Sequence, residues 1–224
     1  MRAFWRVAIA IYAKDLRLEV RTKETVSTVL IFSLLVVFIF NFAFDPSLRV
    51  ITLVGPGIIW VAYLFSGTLS LNRGLILEKD QETLDGLRLA PVGRDAIYAG
   101  KLLGTFTVML VVEALMVPVF LVFYDLSVLT PWFAVVTVLA TLGFASVGTV
   151  FSAIAVHTRA REVMLPLLFL PVVLPVIIGA VASTGDILEG DGWRQLGRWV
   201  QLLVAFDLVF LVVSSLAFDY VLEE

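Results

Sequence analysis

The sequence predicts an all-α membrane protein with six transmembrane helices and an N-terminal interfacial amphipathic helix. Three observations carry that expectation. The 224 residues are 60% hydrophobic and 16% charged, with a mean hydropathy of +1.02, whereas water-soluble domains are nearer half apolar and a quarter charged. The apolar residues fall in blocks. Uncharged stretches occupy 26–44, 50–72, 126–158 and 163–185, and two more, 102–124 and 199–218, are each broken by one carboxylate, Glu113 and Asp207. A hydrocarbon core about 30 Å thick takes about 20 helical residues, so these blocks count as six spans.

The composition also excludes functions. Alternating ten-residue strands of an outer-membrane barrel are absent from the pattern. With no cysteine in the chain, disulfides, iron–sulfur clusters and thiolate metal sites are ruled out. A formal charge of −3 suggests no nucleic-acid role. Residues 1–25 carry charges throughout, so no cleavable signal peptide is expected before the first span.

Orientation follows from the basic residues. With the N-terminus inside, the inner segments are 1–25, 73–101, 157–162 and the C-terminal tail. Every Lys and Arg then lies inside except Arg49, Arg194 and Arg198. That asymmetry places both termini in the cytoplasm.

At 100° per residue, Arg2, Arg6, Lys14, Arg17 and Arg21 share one side of a helix over 2–22, and Phe4, Ala8, Ile11 and Tyr12 lie opposite. This is an amphipathic helix along the inner leaflet with its basic stripe toward headgroups. Asp15 and Glu19 fall on the apolar side. Carboxylates there are explained if that face contacts protein; the alternative is a helix that frays into solvent by Asp15.

The inside loop 73–101 is the longest and most charged. Leu77, Leu84 and Leu87 fall on one helical face among Glu78, Asp80, Glu82 and Asp85, and Asp85-Gly86 and Pro91 punctuate the stretch. The expected form is a short amphipathic helix, a turn, and entry into the third span, with leucines that ask for a partner surface. Outside, 183–198 reads as a Gly-rich loop whose Trp193 suits, with Trp199, an interfacial belt. Pro166, Pro171 and Pro175 predict a kinked or partly unwound fifth span.

Catalytic motifs are missing. The run from Gly93 to Lys101 is not a phosphate loop, because the glycine spacing is wrong and Leu102 follows the lysine where Ser or Thr must hold Mg²⁺. No ATP hydrolysis is expected of the chain, and it is expected to be no enzyme. His157, the one histidine, sits at the end of span four beside Arg159 and reads as structural rather than as a heme or metal ligand. Glu113 and Asp207 are the sharpest chemical features within the bilayer, where a carboxylate is costly. No Lys or Arg shares their depth. Each is therefore expected to be protonated, to hydrogen-bond neighbours such as Thr107, Thr137 or Ser214, or to meet another subunit or a substrate. A protonated carboxyl linking two helices and a transport role both remain open. Gly100-x-x-x-Gly104, Gly143 and Gly148 permit close helix contact, a weak signal alone.

The run Gly57-Ile-Ile-Trp60-Val-Ala-Tyr-Leu-Phe-Ser-Gly-Thr-Leu-Ser-Leu-Asn-Arg73, then Glu78, Leu84-Asp-Gly-Leu-Arg-Leu-Ala-Pro91 and Gly100-Lys101, resembles the CcmB family, heme exporter protein B. The opening Lys14-Asp-Leu-Arg-Leu-Glu19-Val-Arg21 is similar to that family's. The resemblance implies a single ABC-2-type transmembrane domain over 1–224, with an elbow helix in 1–25 and a cytoplasmic coupling loop in 73–101. It implies a membrane permease subunit of the cytochrome c maturation system, with a CcmA-like ATPase, CcmC-like and CcmD-like membrane proteins, a CcmE-like periplasmic heme chaperone and a second copy of itself. ATP and Mg²⁺ would belong to the ATPase, and heme to the complex rather than tightly to this chain. On that reading Leu77, Glu78, Asp80, Glu82, Leu84, Asp85 and Leu87 dock the ATPase. The alternatives are an ABC-2 permease for a lipid, polysaccharide or drug, a proton-coupled secondary transporter, and a passive scaffold.

Overall fold

A computed structural model describes residues 2–44, 48–80, 92–124, 130–156, 161–190 and 193–221. Among them are seven helices: α1 (Arg2–Thr22), α2 (Glu24–Ala43), α3 (Leu48–Asp80), α4 (Arg94–Tyr124), α5 (Pro131–Val156), α6 (Arg161–Glu189) and α7 (Trp193–Val221). The last six are long and apolar enough to cross a bilayer.

Several are longer than the uncharged blocks. The fifth and sixth spans were expected to be separated by a loop over 183–198. Instead α6 runs to Glu189 and α7 starts at Trp193. Gly190 makes the turn at φ +75°, where its N–H returns to the Ile187 carbonyl at 3.3 Å. Only glycine reaches this left-handed geometry without steric cost. The loop expected over 73–101 also contracts, because α3 continues to Asp80 and α4 begins at Arg94. The Asp95 carboxylate accepts from the Ala96 N–H at 2.9 Å, and Gly93 offers its carbonyl to Ala96 and Ile97, which starts the helix early. At 1.5 Å per residue α3 and α4 are about 50 and 46 Å long, well beyond the hydrocarbon core. The expected unwinding of the fifth span does not occur, since α6 is continuous through Pro166, Pro171 and Pro175. Neighbouring helices and local adjustment absorb the lost bonds.

The centre of the bundle is α5. It packs on α3, α4, α6 and α7, and 72% of its span is buried against 22% for the first span. The main core joins Val37, Ile59, Tyr63, Met116, Phe120, Val136, Phe144, Phe169 and Leu203. The outward sides of α2, α6 and α7 present Ile31, Ile39, Phe42, Leu167, Ile178, Leu208 and Val212, an apolar exterior suited to acyl chains.

Contacts between helix ends confirm the alternation of the spans. Arg94 of α4 donates to the Asp219 carbonyl of α7 at 3.1 Å, and Tyr98 packs on Phe218. At the opposite end Trp132 and Trp193, the starts of α5 and α7, have ring centroids 4.6 Å apart. The end carrying Arg94 also receives α1, which is docked across α4. A β-carbon at Gly100 would stand 2.8 Å from both the Ala8 carbonyl oxygen and the Ile11 Cβ. Backbone meets backbone there, and nothing flexible can give way. Gly100→Val is expected to lift α1 off α4 at a cost of about 1–3 kcal/mol. Limited trypsin digestion in detergent would read it as faster cleavage after Arg17 and Arg21, with the six spans still inserted.

Candidate functional site

Two polar constellations stand out, one at the α1–α4 end and one within the spans. At the first, Lys101 donates to Asp15 at 2.9 Å with both side chains largely shielded, and Lys14 lies 3.1 Å from the other Asp15 oxygen. Gly104 lets the Asp15 side chain lie against α4, 3.6 Å from where a β-carbon would be. Tyr12 and Thr107 share a weak hydroxyl contact at 3.5 Å. Thr107 was expected as a partner for a buried carboxyl. Its strong bond instead goes to the Leu103 carbonyl in its own helix, at 2.8 Å.

Glu19 has a different task. The chain turns from α1 into α2 at Lys23, in the left-handed region at φ 52°, and Lys23 supplies no side-chain cap. The Glu19 carboxylate accepts from the Val26 N–H at 2.8 Å and caps the first turn of α2 in its place. The two acidic residues of α1 thus fix it to α4 and to α2 respectively.

Within the spans, Glu113 and Asp207 are both buried in the bundle, each 4% exposed. Glu113 of α4 meets Thr141 of α5, whose hydroxyl oxygen is 2.9 and 2.8 Å from the two carboxyl oxygens. Thr141 replaces Thr107, Thr137 and Ser214 as the partner. One hydroxyl carries one proton: it donates to both oxygens of an ionised carboxylate as a three-centre bond, or to one of them when the carboxyl is protonated. The ring is then reciprocal: the acid O–H donates to Thr141, and Thr141 donates to the acid carbonyl. Tyr63 donates to the main-chain carbonyl of Glu113 at 3.1 Å and joins α3 to the same point. Beside it lies a small cavity lined by Val29, Tyr63, Ser66, Ser70, Met109 and Glu113, at the lower limit of the room one water molecule needs. Ser66 is hydrogen-bonded to Ser33 of α2.

Asp207 faces Gly143 of α5, where a β-carbon would stand 2.6 Å from its Oδ1. Neither of its oxygens has a hydrogen-bond partner among the described residues, and the same holds for Thr137 and Ser183. The two carboxyls therefore address different sides of α5, about 200° apart around the helix when Thr141 and Gly143 are compared.

Of the residues expected to dock an ATPase, Leu77, Glu78 and Asp80 fall in the final turns of α3. Glu82, Leu84, Asp85 and Leu87 lie outside the described residues, as does His157. Sequence reasoning missed Thr141, although Thr137 and Thr141 are one helical turn apart and share a face. It also missed Lys101 as the partner of Asp15. The signal available was an acidic residue on the wrong side of α1 and a lysine next to Gly100. Nothing in the sequence pointed to the long-range bond from the Trp60 indole to Thr184, 2.8 Å.

These features define a multi-pass α-helical membrane protein with a surface helix clamped to the base of its third span. The chain belongs to the CcmB protein family, whose model matches residues 6–224. It is 32% identical over 210 residues to heme exporter protein B of Paracoccus denitrificans, covering 93% of this chain and 94% of that one. The protein of the same name from Rhodobacter capsulatus is 30% identical over 170 residues, covering 75% and 78%. That from Escherichia coli is 28% identical over 183 residues, covering 80% of each.

The reciprocal pair makes a double-mutant expectation. Glu113→Gln retains one donor and one acceptor in the same arrangement, so stability in detergent is expected to stay within about 1 kcal/mol. Thr141→Val strands the carboxyl and is expected to cost about 1–3 kcal/mol. Thermal unfolding of Glu113→Leu, Thr141→Val and their double variant measures the coupling, because each of these removes the interaction; additive losses would show that the pair does not interact.

Proposed function

We propose that this chain is the ABC-2-type membrane subunit of an exporter complex serving cytochrome c maturation, in which ATP hydrolysis by a separate chain drives heme handling or the release of a heme-loaded chaperone. The observation that carries the reading is the family match over nearly the whole chain, together with relatives named heme exporter protein B that are covered along most of their length. Partners on this reading are a CcmA-like ATPase, CcmC-like and CcmD-like membrane proteins, a CcmE-like periplasmic heme chaperone and a second copy of the chain. Heme is cargo of the complex, and ATP with Mg²⁺ belongs to the ATPase.

The geometry supports a mechanical route for the coupling. An ATPase can move the spans only through a rigid contact at their ends. The end of α3 and the start of α4, joined by 81–93, offer such a contact. A force on the start of α4 is carried to α1 through Gly100 and the Lys101–Asp15 pair. It is carried into the bundle centre through Tyr98, whose hydroxyl donates to the Ser146 carbonyl of α5 at 3.2 Å, and through Glu113 and Thr141. The end that carries α1 is the cytoplasmic one on this reading, because it gathers the Lys and Arg residues.

Two experiments test it. Leu84→Asp with Leu87→Asp is expected to abolish ATPase co-purification and ATP-dependent chaperone release while leaving the spans inserted. Survival of both activities would overturn the docking assignment. The absence of native cysteines makes orientation direct to measure. Glu189→Cys should react with an impermeant maleimide on intact cells, and Arg17→Cys only after permeabilisation; the reverse pattern would invert the topology.

A further inference from the structure

The small cavity beside Glu113 lies between α2, α3 and α4, and its polar lining shows a consistent direction of hydrogen bonding. Ser33 of α2 donates to the Val29 carbonyl one turn back at 2.8 Å, the usual back-bond of a helical serine. In the Ser33–Ser66 pair the donor is then Ser66 of α3, which leaves the lone pairs of its own oxygen for the cavity. Tyr63 commits its proton to the main-chain carbonyl of Glu113, and Thr141 directs its proton to the Glu113 carboxyl. The main-chain N–H groups of the three helices are engaged within the helices themselves. What the lining offers an occupant is therefore chiefly acceptors: the Ser66 and Tyr63 oxygens, and carboxyl oxygens of Glu113 that keep lone pairs to spare in either protonation state. Ser70 completes the polar lining with a hydroxyl that donates or accepts.

We propose that this cavity is a binding site for one water molecule, which donates to the Glu113 carboxyl and to Ser66 and accepts from Ser70. The room is that of a single water, and about three polar partners is the usual complement of a buried one. The match is of kind as well as of size. A lining of acceptors calls for a guest that donates twice, as water does. A divalent cation would ask for six or more oxygen ligands, more than these few side chains present. The rest of the lining is apolar, with Val29, Met109 and Val112 closing around the polar groups, so the water has nowhere else to turn its hydrogens. Bound there, it completes a junction of four helices. Glu113 of α4 already meets α5 through Thr141 and α3 through Tyr63. Through the water and the Ser66–Ser33 pair it also reaches α2, the least buried of the six spans. A water-mediated bond of this kind holds nearly as well as a direct one.

Two methionines of α4 make the test. Met109 lines the cavity, its methyl group against Gly67, 2.6 Å from where a β-carbon there would stand. Met116 lies two turns further along the same helix, buried as well but away from the cavity. X-ray pulses convert water into hydroxyl radicals, which oxidise methionine sulfur where they are formed, so a buried methionine is labelled when a bound water touches it. The full-length chain in lipid nanodiscs is irradiated and its oxidation read by peptide mass spectrometry. Met109 is expected to be oxidised at least about tenfold faster than Met116, because a well-packed interior holds water only in such polar sites. Ser66→Val and, separately, Ser70→Val each fill the cavity and remove a polar partner, and are expected to bring Met109 down to the rate of Met116. Continued protection of Met116 shows that a variant has kept its fold. Equal protection of the two methionines in the parent protein would overturn the proposal, whether the cavity is dry or holds an ion. So would rapid oxidation of Met109 that survives in both variants while Met116 stays protected, since the radicals would then arrive by another route.

Discussion

In a bilayer a leucine gains little by leaving lipid for protein, so a helix bundle must be held by close backbone approach and by polar groups with no water to turn to. That constraint organises this molecule around α5. Gly143 leaves room for Asp207, Gly148 receives Leu71, and Gly67 of α3 receives the Phe144 ring. Ser146 and Thr149 return their hydroxyls to carbonyls of their own helix at 2.9 and 2.7 Å, which leaves Thr141 to reach across to Glu113. α3, α4 and α7 are thus held to α5 by a small residue or by a hydrogen bond, and large apolar side chains such as Phe144 against Phe169 of α6 fill what remains.

The two carboxyls within the spans are therefore unequal. Glu113 is a linker: its side chain joins α4 to α5, and its backbone carbonyl accepts from Tyr63 of α3. Asp207 has no hydrogen-bond partner among the described residues and is set against a glycine on the far side of the same central helix. At the end of the bundle the acidic residues of α1 are again divided, Asp15 to an ion pair and Glu19 to a helix cap. The joint they make gives α1 and the first turns of α4 a common footing.

Much of this was legible in the residues. Blocks of uncharged sequence long enough to cross a bilayer fixed the number of spans, and the run from Gly57 to Pro91 pointed to the family. The charges on the apolar side of α1 signalled that the face was not for lipid. The boundaries were less legible, because α3 and α4 extend beyond the apolar blocks on charged residues such as Lys79 and Asp95. Hydropathy marks where lipid begins and is silent on where a helix ends. The loop expected over 183–198 failed for the same reason, since polar residues after Ser183 are compatible with a helix that has left the hydrocarbon.

What the sequence determined by itself was what solvent can read one residue at a time: apolar length, basic asymmetry, the absence of thiols and of a phosphate loop, and the cost of a carboxylate mid-span. Tertiary structure alone decided partnership. Thr137 and Thr141 are the same residue type one turn apart, yet Thr141 meets Glu113 and Thr137 meets no described partner. Gly100 and Gly57 are both glycines in helices, yet a β-carbon at 100 would strike the Ala8 backbone and one at 57 would meet nothing within 4 Å. Such distinctions depend on the rotation and depth of one helix against another. Periodicity sets which residues share a face, and only packing sets what that face touches.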